Sequence, residues 1–114
     1  MFAEGGATNG GSIFKFKRGA FIGERRVSPM VLRYTYDGLS SAFDVIDYLP
    51  LAIMNYSWRG LHCKVHYLPD FEPNEYLFKT HKDKGKERWE IYAWAVRDIM
   101  AKTGNFEKSD LTLA

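Results

Sequence analysis

Cysteine is nearly absent from this chain. Cys63 stands alone among 114 residues, which excludes an intrachain disulfide and a cysteine-built zinc site and suits a reducing compartment or a cytosolic membrane face. With Leu61 and Val65 two positions to either side, Cys63 reads as a small core residue. Long apolar runs are missing too. The longest uncharged one, Tyr48 to Trp58, contains Pro50 and is about half the ~20 residues that a bilayer-spanning helix requires. The N-terminus has neither the basic start nor the apolar run of a signal peptide, so the expectation is a chain without one. A surplus of one charge sign is lacking as well: the net charge of +2 is too small to argue for nucleic acid. There is no internal repeat and no Gly-x-Ser-x-Gly block of a serine hydrolase.

What is present is apolar and aromatic. At 46% apolar and 16% aromatic residues, the composition is that of one globular domain rather than a disordered tail. Met1 to Ala3 reads as the end of a strand, and Lys15 to Gly23 as a short helix. Val27 to Tyr36 reads as a strand, apolar on both faces at Met30-Val-Leu32 and therefore expected at the centre of a sheet. Asp37-Gly38 marks a turn, after which Ser40 or Ser41 can cap a helix towards Tyr56.

Leu61 to Leu68 alternates as a half-buried strand, with His62, Lys64 and His66 on its polar face. Glu72 to Gly85 reads as a polar connection. Lys79 to Arg88, with six basic residues in ten, reads as a mobile surface loop, with contact to anionic lipid as its alternative. Glu87 to Thr103 is the clearest helix, with a stripe of Trp89, Tyr92, Val96, Ile99 and Met100 and with Gly104 placed to end it. His62 and His66 could supply two metal ligands, but no third is evident, so no metal site is expected.

Candidate chemistry concentrates at the start of the chain. Glu4 precedes a run containing Gly5, Gly6, Gly10 and Gly11, and five Lys/Arg residues against one Glu follow between Ser12 and Arg26. Glycines can turn successive N–H groups onto phosphate oxygens, and the basic segment suits a phosphate-bearing substrate or an anionic membrane surface. A frayed terminus followed by an ordinary solvated basic face is the competing reading.

Three blocks carry a resemblance: Phe2-Ala-Glu-Gly-Gly-Ala-Thr-Asn9, Phe14-Lys-Phe-Lys-Arg-Gly-Ala-Phe21 and Val27-Ser-Pro-Met-Val-Leu-Arg-Tyr34. In this order and spacing they resemble the C-terminal part of the lysophospholipid/glycerolipid acyltransferase domain. Its blocks are of the type Phe-Pro-Glu-Gly-Thr-x-Thr/Ser-Asn, Phe-Lys-x-Gly-Ala-Phe and Val-x-Pro-Val-x-Leu-Arg-Tyr. Ala3 replaces the usual Pro and Gly6 the usual Thr. The family's His-x-x-x-x-Asp block is absent: His62, His66 and His81 are followed five positions on by Tyr67, Phe71 and Lys86. The upstream Arg-bearing block is absent as well.

The resemblance implies an α/β fold: residues 1–114 as the C-terminal portion of a mixed-sheet acyltransferase domain with flanking helices, truncated at the N-terminus. It implies a parent that moves a fatty acyl group from acyl-CoA, as co-substrate and with no other cofactor, to a lysophospholipid or glycerol-phosphate hydroxyl. The parent would act at a membrane surface, at the endoplasmic reticulum or another cytosol-facing membrane. Glu4, Gly5, Gly6, Thr8, Asn9, Lys17 and Arg18 are the implied substrate-binding residues. The Gly5 and Gly6 N–H groups, the Thr8 hydroxyl and the Asn9 amide would act as phosphate donors, and Lys17 or Arg18 would add charge. Glu4 would brace the loop through backbone or arginine contacts. No catalytic residue lies in this chain, which alone would be inactive. A non-catalytic phospholipid- or anion-binding module, or a regulatory partner of a complete enzyme, is the alternative.

Overall fold

The computed structural model of the chain describes residues 1–6, 10–37, 46–57 and 60–111. It is mixed α/β, in the order β1 (Ser12–Ile13), β2 (Met30–Tyr36), α1 (Tyr48–Ser57), β3 (Leu61–Tyr67), α2 (Glu75–Thr80), α3 (Arg88–Gly104) and β4 (Glu107–Lys108). Single 3-10 turns occupy Arg18–Ala20 and Lys82–Lys84. Met1 to Ala3 is not a strand, and the expected helix at Lys15 to Gly23 is reduced to the first of these turns.

α3 organises the core. Glu87 caps it and Glu90 returns the favour to the Glu87 N–H, a reciprocal capping box that satisfies donors otherwise left open at a helix start. At the other end Asn105 is left-handed (φ 52°), and its N–H closes onto the Ala101 and Lys102 carbonyls. Gly104 is the last helical residue rather than the terminator. A Cβ there would lie 2.2 Å from the Phe106 ring, so its bare α-carbon is what lets Phe106 fold back against the helix end.

One apolar cluster joins Ile13, Phe16 and Phe21 to Phe78 of α2 and to Ile91, Tyr92 and Val96 of α3. Tyr92 is fully buried, with Phe21 edge-on at 5.2 Å and Phe71 stacked at 5.7 Å. Its hydroxyl lies 2.7 Å from the Arg25 carbonyl and 3.1 Å from that of Phe71, so it tethers two loops to the helix. The predicted stripe is only partly right, since Ile99 is exposed while Ala93 and Ala95 are buried.

β2 and β3 form an antiparallel ladder from Met30 opposite Tyr67 to Tyr36 opposite Leu61, continued by a bridge between Val27 and Phe71. β1 and β4 pair in parallel. The reading of β2 as a central, doubly buried strand is overturned: Val31 is buried, but Met30 is 47% exposed and Tyr34 and Tyr36 stand in solvent. Among the described residues β2 has one neighbouring strand and β3 has one, so neither lies inside a sheet. β3 is exposed rather than half-buried at His62 through Tyr67, and Cys63 is a surface thiol, not a core residue.

The expected polar connection at Glu72 to Gly85 contains α2, opened by Asn74, whose side chain accepts the Leu77 N–H at 2.8 Å. The expected basic loop is thus helix, 3-10 turn and helix start. The turn at Gly38 and the caps at Ser40 or Ser41 lie outside the described residues. α1 begins at Tyr48, with Pro50 in its first turn, where a missing N–H costs nothing.

Candidate substrate-binding loop

The N-terminal loop is fastened to the segment that follows it by two contacts and closed on itself by a third. The Glu4 Oε1 accepts the Phe14 N–H at 2.8 Å, the Ala3 carbonyl accepts the Lys17 N–H at 2.8 Å, and the Phe2 carbonyl accepts the Gly5 N–H at 3.1 Å. The last closes a tight turn in which Gly5 takes φ +78°, a left-handed conformation that a side chain disfavours. A Cβ on Gly5 would lie 2.7 Å from Cδ of Lys17 and 3.3 Å from its Nζ. The lysine stem therefore runs across the bare face of the glycine and brings its ammonium over the turn. Glu4, Gly5 and Lys17 thus meet at one turn, with Glu4 bound to the Phe14 backbone and Lys17 lying against Gly5.

The Gly5 N–H, expected to point at phosphate, is instead spent on the Phe2 carbonyl within the turn. What Gly5 offers is space. Glu4 does hold the loop, through the Phe14 backbone, and the field of Arg97 reaches it as well.

Arg97 is a residue that sequence reading missed. It lies on α3 with 7% exposure, and its Nη2 donates to the Ile13 carbonyl at 2.9 Å and to that of Ser109. It thereby ties β1 to the residue after β4. Burial pulls its pKa below the ordinary arginine value, while the Asp110 and Glu4 carboxylates push it back up. Its Nε is buried without a hydrogen-bond partner. The signal was an arginine inside the apolar run Ile91 to Ala101, where a charge persists only if the fold has a use for it.

Comparison with known proteins gives the family, which geometry alone leaves open. The chain is 34% identical over its whole length to lysophospholipid acyltransferase LPEAT1 of Arabidopsis thaliana. It is 33% identical over 96% of its length to lysophosphatidylcholine acyltransferase of Drosophila melanogaster. The chain belongs to the lysophospholipid acyltransferase family. It spans 27% and 20% of the length of these two relatives, so it corresponds to part of an acyltransferase. No family model matches the chain, and no solved structure is similar to it.

The other residues implied for substrate binding in this acyltransferase chain are less tightly organised. Gly6 is exposed beside the turn, and Arg18 is exposed at the start of its 3-10 turn. Thr8 and Asn9 lie outside the described residues. The structure thus brings together Glu4, Gly5 and Lys17. Among the described residues, no hydrogen bond or ion pair joins the Arg18 side chain to them. No group of three or more potential metal ligands exists among the described residues, and no described helix is long and apolar enough to cross a membrane.

Proposed function

We propose that this chain is the C-terminal, substrate-positioning portion of an acyltransferase domain. The complete protein would move a fatty acyl group from acyl-CoA to the hydroxyl of a lysophospholipid or glycerol phosphate at a cytosol-facing membrane. The observation that carries this reading is the Glu4-Gly5-Lys17 unit within a chain whose relatives are lysophospholipid acyltransferases. Lys17 offers a cation to the acceptor's phosphate, the Gly6 N–H, Thr8 hydroxyl and Asn9 amide offer neutral donors, and Arg18 adds charge at the rim. Gly5 contributes by carrying no side chain. Glu4 serves as a positioning residue, since a second negative charge at the phosphate would repel it.

The chemical step requires a general base on the acceptor hydroxyl so that its oxygen can attack the thioester carbonyl. In the family this base is a histidine oriented by an aspartate, both upstream of the blocks found here. Holding the acceptor in attack geometry contributes several kcal/mol to such a reaction but does not replace the base. The chain alone is therefore expected to be inactive.

The test is a chimera in which these residues follow the upstream blocks of a complete relative. Acyl transfer from radiolabelled acyl-CoA to lysophosphatidate, reduced by Lys17→Ala far more than by an exposed change such as Lys64→Ala, supports the reading. Equal effects of the two changes would overturn it.

A further inference from the structure

A second cationic site lies between α2 and the start of α3. The end of α2, the 3-10 turn and the start of α3 enclose a groove of about 450 Å³, with the buried Phe78 and Ile91 as its floor and Lys79, Lys82, Lys86 and Arg88 around it. The turn is tight because Gly85 has no side chain: a Cβ there would lie 2.5 Å from that of Glu90.

The carboxylates of this region are already committed. Asp83 pairs with Lys84 at 3.0 Å, and Lys84 also reaches over the Trp94 ring. Glu75 and Glu24 clamp Arg88 at 2.7 and 2.9 Å, and its guanidinium lies flat over Phe78 at 4.0 Å. Glu87 and Glu90 are used in capping α3, and Glu87 also accepts the Trp89 indole N–H at 2.7 Å. Among the described residues no carboxylate lies within ion-pair distance of Lys79, Lys82 or Lys86. Lys79, Lys82, Lys86 and Arg88 thus line one concavity against a single lining carboxylate, Glu75, which Arg88 holds at 2.7 Å and which also feels Lys79, an excess of positive charge that folding does not require and that like-charge repulsion opposes.

We propose that this groove binds a small organic polyphosphate, with the three lysines neutralising two or more phosphate groups. Its volume lies in the range of small-molecule sites. A concave wall with an apolar floor fits a compact soluble anion, whereas a bilayer engages cations spread over a convex or flat face. The nucleotide end of acyl-CoA, with its pyrophosphate and ribose phosphate, is one ligand of this class. That identification rests on the acyltransferase reading above, while the phosphate chemistry of the groove does not.

Calorimetric titration of the full chain with inorganic tripolyphosphate tests the site. The wild type and a charge-matched Arg25→Gln/Lys64→Gln variant are expected to bind alike, and Lys79→Gln/Lys86→Gln at least tenfold more weakly. All four positions are exposed, so the thermal midpoints should agree and report that both variants fold. Equal weakening in the two variants, or no saturable binding by the wild type, would overturn the proposal. So would capture by phosphatidylserine vesicles that depends on Lys79 and Lys86 without tripolyphosphate binding, which would make the patch a membrane contact. Competition by coenzyme A for bound tripolyphosphate would tie the groove to acyl transfer. Tripolyphosphate binding without that competition would keep the site and detach it from the reaction.

Discussion

At the residue scale, the loop rests on two substitutions of opposite kind. Glu4→Ala removes the acceptor of the half-buried Phe14 N–H and should cost about 1–3 kcal/mol in denaturant unfolding, the price of an orphaned donor. Glu4→Gln keeps an oxygen in place and should recover most of that loss; if it does not, the carboxylate's charge rather than its hydrogen bond holds the loop. Gly5→Val forces a β-branched residue into φ +78° and drives its Cβ into the Lys17 stem. In a chimera with the upstream blocks, turnover with lysophosphatidate should fall about a hundredfold or more. Thioester hydrolysis without acceptor should change far less, and equal losses in both reactions would show that Gly5 serves folding rather than acceptor placement. That Glu4 would contact backbone was legible, because a carboxylate is repelled by phosphate and takes N–H donors instead. The fate of the Gly5 N–H was not, because a single four-residue turn, Phe2 to Gly5, leaves no pattern in sequence.

At the scale of the element, α3 is fastened by ion pairs that acid should loosen. Hydrogen bonding to Arg88 holds the Glu24 and Glu75 carboxyls below their ordinary value of 4.5. Bonds from Lys102 and Lys108 hold Asp98 below its ordinary 3.8. Carboxyls depressed in the folded state bind fewer protons there than in the unfolded chain. Their contribution is present above the ordinary values and is lost as pH falls through the folded ones. The thermal midpoint should therefore be flat with respect to these groups from pH 7 to about 5 and fall below about 4.5, and Arg88→Met should flatten part of that decline. A profile unchanged by Arg88→Met would remove this network from the account.

α3 was readable because its apolar positions recur at helical spacing. α2 was not: Pro69, Pro73 and many charges read as a connection, although Asn74 followed by Leu77 carries the cap and its recipient. β2 was misplaced because an apolar run marks burial wherever partners exist, and its sequence does not say whether they do.

For the whole molecule, size and shape carry the argument. The radius of gyration is 16.1 Å and the extents are 50 × 28 × 23 Å, against about 13 Å expected for a compact chain of this length. The β2–β3 ladder leaves Met30, Tyr34 and Tyr67 in solvent, and α1, free of charged residues, exposes Leu49, Ile53 and Tyr56, the last at 93%. Unpaired strand edges and apolar faces of this kind invite association. The chain expressed alone is expected to self-associate through these faces, with concentration-dependent light scattering and dye binding. Strictly monomeric behaviour at every concentration would count against these faces being covered in a larger packed domain.

The parallel pairing of Ser12–Ile13 with Glu107–Lys108, locked by Arg97, also joins distant parts of the chain. So long a separation makes the meeting of these partners costly in loop-closure entropy. The Glu4 loop therefore sits beside a strand whose clamp is supplied by residues nearly a hundred positions further along. Local as it looks in sequence, the candidate substrate site is steadied by a contact between distant parts of the chain.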